Sequence, residues 1–210
     1  MLRTISFSLV ALSILSAIGF IFWKQELQYV GPTPVPQNYN TIDQGERVNL
    51  KGLGLPTDKP LFVHFYNNDC PCSRFNAREF RNLTIEFDSE IRFISIIQSS
   101  DKDAAKQFKN KYDLGIPVQL DSEGKIAAAL GVYSTPQAVI IKDSSIYFRG
   151  NYNKARFCTT KNTKFAELAL KALIKNEPAP FFPELAYVAY GCELPANQDN
   201  NQSTLNFFNL

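Results

Sequence analysis

The chain has 210 residues, a length that suits one domain with appendages better than two ordinary domains. Apolar residues make up 45% of it and charged residues 20%, a balance typical of a globular protein and not of a disordered one. The net charge is +2 and no basic run with interleaved aromatic residues occurs, so the sequence lacks the charge pattern of a nucleic-acid-binding protein.

The N-terminal segment is long and apolar. Ile5 to Trp23 is a run of 19 residues without a charge, long enough to cross a hydrocarbon core as a helix. It ends in bulky aromatic residues rather than in the small residues of a cleavage site, so we favour an uncleaved anchor over residues 1–24, with a signal peptide as the alternative. Arg3 favours a cytoplasmic N-terminus. The rest of the chain would then face an oxidising compartment such as a bacterial periplasm, where its four cysteines can form disulfides.

Alternating prolines follow this segment. Pro32, Pro34 and Pro36 favour extended polyproline II structure, so we expect residues 25–48 to form a semi-stiff tether. The domain proper is predicted over residues 49–176, and residues 177–210 form a C-terminal extension with a loose tail rich in Asn and Gln.

Alternating strand and helix patterns fill the predicted domain. Its first strand, Leu61–Tyr66, is apolar on both faces, as in a central strand covered by helices. The later patterns predict a helix over 73–87, a strand over 91–97, a helix from about 101 to 114, a strand over 117–120, a short helix over 125–130, a strand after Pro136, a hairpin turn at 143–145, a strand over 146–150 and a closing helix over 165–174. The order predicts an α/β fold with a central mixed sheet flanked by helices.

Two cysteines, Cys70 and Cys72, lie where the first strand passes into the first helix of this domain. At a helix start the unpaired N–H groups and the positive end of the dipole favour a thiolate over a thiol. An ionised and accessible sulfur is a nucleophile, so this pair predicts thiol-disulfide chemistry. A purely structural pair is the alternative.

The order of elements, a cysteine pair after the first central strand and a Thr-Pro before a later strand and hairpin, resembles the thioredoxin-like superfamily. The nearest branch is the membrane-anchored, extracytoplasmic redoxins similar to the TlpA and AhpC/TSA group. The resemblance covers roughly Asn49 to Lys175 and implies that Cys70 is the attacking cysteine. It also implies that Thr135-Pro136 is the cis-proline loop that faces this cysteine, with Pro136 towards the substrate.

The cysteine motif departs from the family pattern. Members usually have Cys-x-x-Cys, whereas here Cys72 comes two residues after Cys70 and Ser73 stands at the position of the second cysteine. Cys72 is the expected resolving thiol, and because a Cys70–Cys72 bond would close a cramped ring, it would be a relatively strong oxidant. Resolution by an outside thiol is the other possibility. The threonine-containing motif of peroxiredoxins is missing, because Asn67 precedes Cys70 by three.

His64 is the only histidine in the chain. It stands six residues before Cys70, where thioredoxins carry a buried acidic group that transfers a proton during exchange, so it is a candidate proton relay. The alternative is a histidine that is simply packed and hydrogen-bonded in the strand. A third possibility is that His64 joins Cys70 and Cys72 as ligands of Cu(I) or Zn(II).

Cys158 and Cys192 lie outside the motif. We expect a structural disulfide between them that fixes the C-terminal extension to the domain, which is worth about 3 to 4 kcal/mol in the chain-entropy model. The competing idea is that one of the two resolves Cys70 or Cys72, because four cysteines allow three pairings.

Together these features predict a thiol-disulfide oxidoreductase, anchored in a bacterial inner membrane with its domain in the periplasm. We expect it to act on protein thiols and disulfides, to exchange with an upstream redox partner and to need no diffusible cofactor. The alternatives are a noncatalytic copper-handling module and an inert thioredoxin-like scaffold.

Overall fold

A computed structural model describes residues 2–25, 31–154 and 160–197, which form two compact units, Met1–Pro32 and Thr33–Leu210. The first unit contains helix α1, Leu2–Gln25. Its stretch Thr4–Trp23 has 20 residues with a mean hydropathy of 2.3, so by length and composition it can cross a membrane. The choice between anchor and signal peptide stays a prediction.

The second unit is built on a five-stranded mixed sheet. Its strands are β1 Leu61–Tyr66, β2 Arg92–Ile97, β3 Val118–Leu120, β5 Gln137–Lys142 and β6 Ser145–Gly150, in the order β3-β2-β1-β5-β6. Strand β1 pairs in parallel with β2 and antiparallel with β5, whereas β6 returns antiparallel beside β5. The two remaining short strands, β4 Ser134–Thr135 and β7 Cys192–Glu193, form a separate antiparallel pair.

Helices cover both faces of the sheet. They are α2 Pro71–Phe87, α3 Ala104–Tyr112, α4 Lys125–Ala129 and α5 Phe165–Ile174. Phe62 of β1 packs with Phe80 of α2 and Leu170 of α5 in one core, whereas Val63 of the same strand packs with Ile126 of α4 in another. Neighbouring β1 residues therefore face opposite cores, which is why this strand is buried along its whole length. The predicted α/β fold with a central mixed sheet and flanking helices is confirmed.

The segment predicted as a tether lies against the domain from Thr33 onward. The Thr33 amide donates to the Ala189 carbonyl at 2.8 Å, and the Tyr39 hydroxyl donates to the Gly131 carbonyl at 2.8 Å. Val48 is buried in the core beside α4. Residues 33–48 thus belong to the folded unit, because their backbone and aromatic groups find partners there that the proline pattern does not indicate.

The described part of the C-terminal extension, up to residue 197, also packs on the domain. Phe182 is 7% exposed and contacts Phe148 and Phe165 with ring centroids 5.6 and 5.2 Å apart, whereas its neighbour Phe181 is 96% exposed. The Ala186 carbonyl accepts the Asn151 amide at 2.8 Å. This anchoring brings the next residues of the extension to the cis-proline loop. Most of the predicted loose tail lies outside the described residues.

Candidate active site

Cys70 occupies the N-cap position directly before helix α2. Its backbone is extended, with φ −84° and ψ 116°, and Pro71 follows in the first turn, where a missing N–H costs no hydrogen bond. The Cys70 amide donates to the Asn67 carbonyl at 3.2 Å, which closes the turn between β1 and α2. When Cys70 is reduced, its sulfur lies where the helix dipole and the free N–H groups stabilise negative charge.

The cis-proline loop faces this sulfur. The Thr135–Pro136 peptide bond is cis, and the Thr135 carbonyl oxygen lies 3.4 Å from the Cys70 Sγ. Thr135 ends β4, so the loop presents a strand edge beside the cysteine. The cis-proline loop thus lies beside Cys70, whereas the roles expected for Cys70 and Pro136 stay predictions.

The C-terminal strand occupies that edge. Thr135 of β4 pairs antiparallel with Cys192 of β7, and Cys192 forms a disulfide with Cys70 across a separation of 122 residues. The predicted Cys158–Cys192 pairing is thus replaced, because the strand pairing carries Cys192 to the start of α2. Cys158 lies outside the described residues. Of the alternatives left open by the sequence, the structure matches the one in which a distant cysteine bonds to the motif.

Buried polar contacts hold β7 in place. The Ser134 hydroxyl donates to the Cys192 carbonyl at 3.2 Å and lies 2.8 Å from the Thr33 hydroxyl. Gly191 allows close approach of the two backbones, since a Cβ built there would lie 2.1 Å from the Thr135 carbonyl oxygen. Sequence reasoning missed Thr33, Ser134 and Gly191. The only signal for any of them is the glycine directly before Cys192.

Cys72 lies in the first turn of α2 as a buried thiol, 4% exposed. Its sulfur and those of Cys70 and Cys192 all lie within 4.8 Å of one another. The bond to Cys70 in this structure comes from Cys192 and not from Cys72, so a resolving role for Cys72 stays a prediction. Ser73, at the usual position of the second cysteine, accepts the Asn67 amide with its hydroxyl at 3.3 Å.

His64 is fully buried on β1, with 0% exposure. Its ring stacks on Phe80 at 4.0 Å between centroids, and its Nδ1 lies 2.6 Å from the Tyr152 hydroxyl. Burial lowers the pKa of His64 from 6.5 to about 3, because the charged imidazolium loses its hydration. The ring is therefore neutral at pH 7, and the geometry fits the packed, hydrogen-bonded alternative. The proton-relay role stays a prediction.

The metal-ligand cluster found among the described residues differs from the one the sequence suggested. It contains the three sulfurs, with Cys192 in the place of His64. Because a metal binds thiolates, two of these ligands are blocked while the Cys70–Cys192 bond exists.

A cysteine at a helix start, facing a cis-proline loop beside a five-stranded mixed sheet, defines a thioredoxin-like redoxin. Residues 39–193 match the family described as domain of unknown function DUF6436, and the chain belongs to that family. The matched range includes all three sulfurs of the cluster.

Curated relatives and solved structures are similar to this chain. Thiol-disulfide oxidoreductase ResA of Bacillus cereus is 29% identical over an alignment of 149 residues, with coverage of 67% of this chain and 83% of that protein. A hypothetical protein from Sinorhizobium meliloti aligns with a TM-score of 0.61 at 17% identity, over 74% of this chain and 95% of that one. An uncharacterized conserved protein from Geobacillus kaustophilus aligns with a TM-score of 0.63 at 18% identity, over 79% of this chain and 97% of that one. Both structures show the shared fold.

We predict that His64 does not titrate in the native protein between pH 8 and about 4.5. Its folded pKa lies below the unfolded value, so the neutral ring stabilises the fold above pH 6.5 and this stability is lost as the pH falls towards 3. Because it is the only histidine, its ring proton signals in an NMR titration are unambiguous. The urea-unfolded chain, which should titrate near pH 6.5, is the control. A native midpoint between pH 6 and 7 would contradict the burial.

We predict that Gly191→Ala weakens the docking of β7, because the new Cβ would collide with the Thr135 carbonyl. The Cys70–Cys192 bond should then be reduced by dithiothreitol roughly tenfold faster, which corresponds to a loss of about 1.4 kcal/mol in docking. Gly31→Ala is the matched control, since a Cβ there meets nothing within 4 Å. Equal reduction rates in the two variants, with both folded by circular dichroism, would show that the close approach does not protect the bond.

Proposed function

We propose that the chain is a membrane-attached thiol-disulfide oxidoreductase that acts on protein thiols outside the cytoplasm, with Cys70 as its nucleophile. The observation that carries this proposal is the disulfide between Cys70 and Cys192, formed at a helix start and against the cis-proline loop. A bond at this place joins the residue expected to attack with a second cysteine that can resolve the product.

The exchange needs only sulfur atoms of the chain and of its substrate. In the reduced chain, the Cys70 thiolate attacks a substrate disulfide, and the electron pair leaves on one substrate sulfur. The Cys192 thiolate then attacks the Cys70 sulfur, which forms the Cys70–Cys192 bond and releases the second substrate thiolate. Two electrons pass to the substrate, and each thiolate takes up its proton from solvent. The reverse sequence oxidises a substrate dithiol. The direction of electron flow therefore depends on whether the redox partner reduces or oxidises the Cys70–Cys192 pair.

Access to the site depends on β7. Cys70 is 1% exposed in the oxidised chain, whereas Cys192 is partly exposed. Strand β7 has two residues and, among the described strands, pairs with β4 alone, so it is a short element whose release after reduction opens the edge at Thr135. A substrate segment then takes the place that Cys192 leaves.

The location outside the cytoplasm rests on two features. Helix α1 is apolar enough to hold the chain in a bacterial inner membrane, and Arg3 near its start favours an N-terminus in the cytoplasm. A disulfide persists in an oxidising compartment such as the periplasm. An upstream redox partner there would restore the working oxidation state of Cys70 and Cys192.

The named relatives support oxidoreductase chemistry over metal handling. The ResA proteins are named as thiol-disulfide oxidoreductases, and the alignment with the Bacillus cereus protein covers 83% of its length. Copper handling is not favoured, because the Cys70–Cys192 bond of the oxidised chain removes two of the three thiolate ligands in the cluster.

We predict that Cys70→Ser lowers the exchange rate with a fluorescent dithiol peptide by roughly two orders of magnitude or more, since the attacking atom is removed. The peptide reports its own oxidation state, so both directions can be followed. Cys158→Ser is the control and should keep the rate. A Cys70→Ser variant that folds and exchanges at the parent rate would overturn the assignment of the nucleophile.

A further inference from the structure

The described residues place a third sulfur beside the disulfide. Cys72 is a thiol whose Sγ lies within 4.8 Å of the sulfurs of both Cys70 and Cys192. A disulfide needs about 2.0 Å between its sulfurs, so a side-chain rotation and a small movement of β7 are enough to bring Cys72 to Cys192. The exchange steps of the proposed function use Cys70 and Cys192 and give the Cys72 thiol no role.

We propose that Cys72 exchanges with Cys70 as the bonding partner of Cys192, so that the oxidised chain has two isomeric disulfides. This inference rests on the proposed function and adds a catalytic residue to it. In the step, the Cys72 thiolate attacks the Cys192 sulfur and forms the Cys72–Cys192 bond. The Cys70–Cys192 bond breaks, and its electron pair leaves on the Cys70 sulfur. The proton lost by Cys72 goes to solvent, nothing is oxidised or reduced overall, and no co-reactant is needed.

The leaving group decides which sulfur of the disulfide is attacked. Attack on Cys192 releases the thiolate of Cys70, which the start of α2 stabilises. Attack on Cys70 would instead form a Cys70–Cys72 bond across a single proline, between an extended residue and one already in the helix. Such a ring departs from the Cα spacing and dihedral angle that disulfides prefer. Exchange through Cys192 avoids it.

Cys70 is the N-cap residue of α2 and Cys72 lies in its first turn, so either thiolate gains from the same free N–H groups at the helix start. The two isomers are therefore close in energy and exchange in both directions. In the Cys72–Cys192 isomer, the Cys70 thiolate lies beside Thr135 while the chain still carries its disulfide. The nucleophile is then available in an oxidised chain, which a two-cysteine site cannot provide.

The test is disulfide mapping on the full chain with Cys158→Ser as the background, so that a fourth thiol cannot take part. The oxidised protein is quenched in acid, alkylated under denaturing conditions and sequenced by fragmentation, which separates labels on Cys70 from labels on Cys72. The parent in this test is the Cys158→Ser chain. It should carry labels on both Cys70 and Cys72, and the amount of the rarer label should be within about tenfold of the other. Cys70→Ser should form a Cys72–Cys192 bond, and Cys72→Ser should keep the Cys70–Cys192 bond.

Two results would overturn the exchange. One is an alkyl label on Cys72 alone in the oxidised parent. The other is a Cys70→Ser variant that leaves Cys72 and Cys192 as thiols under conditions that oxidise the parent. The parent measurement needs no substitution in the cluster, so a variant that fails to fold does not decide the outcome.

The disulfide exchange and the proposed function can each be refuted without refuting the other. Turnover of the dithiol peptide by a parent that labels only at Cys72 removes the exchange and keeps the oxidoreductase. Mapping that shows both isomers in a chain that does not turn over the peptide keeps the exchange and removes the oxidoreductase.

Discussion

The bond between Cys70 and Cys192 is the constraint on which the rest of the site depends. It joins the start of α2 to a strand of the C-terminal extension 122 residues away, a link worth about 5 kcal/mol in the chain-entropy model. It also brings the three sulfurs within 4.8 Å of one another and leaves Cys70 only 1% exposed. One covalent link therefore adds to the stability of the extension, limits access to Cys70 and determines which thiols of the cluster are available.

The surroundings of this bond are built from parts that lie far apart in sequence. Thr33 of the entry segment meets Ser134 of β4, and Ser134 donates to the carbonyl of Cys192 on β7. The N-terminal and C-terminal segments of the folded unit thus converge on the cis-proline loop. A short strand held by a few hydrogen bonds can be released once the disulfide is reduced, while Phe182 and Ala186 keep the rest of the extension on the domain.

Local sequence patterns predicted most of the fold. The closing helix over 165–174 and the strand Leu61–Tyr66 have the predicted bounds, because period and apolar content are local properties. The docking of residues 33–48 could not be predicted in this way, since alternating prolines describe the local backbone and not its tertiary partners. The helix-start position of Cys70 and its facing Thr135-Pro136 loop also followed from local order and the family resemblance.

The pairing of Cys192 did not follow from the sequence. Four cysteines allow three pairings, and the choice depends on the β4–β7 pairing, which two residues on each strand define. The surroundings of His64 could not be predicted for the same reason. Its position relative to Cys70 is evident from the sequence, but the stacking on Phe80 and the hydrogen bond to Tyr152 come from elements distant in sequence.

The most direct test of the central claim is peptide mapping of the native, unreduced chain after its thiols have been blocked. We expect a linked pair that joins the peptide of Cys192 to the motif peptide containing Cys70, and we expect this pair to disappear on mild reduction while the domain stays folded. A linked Cys158–Cys192 pair, or a bond within the motif that leaves Cys192 as a thiol, would contradict a redox site closed by the C-terminal strand.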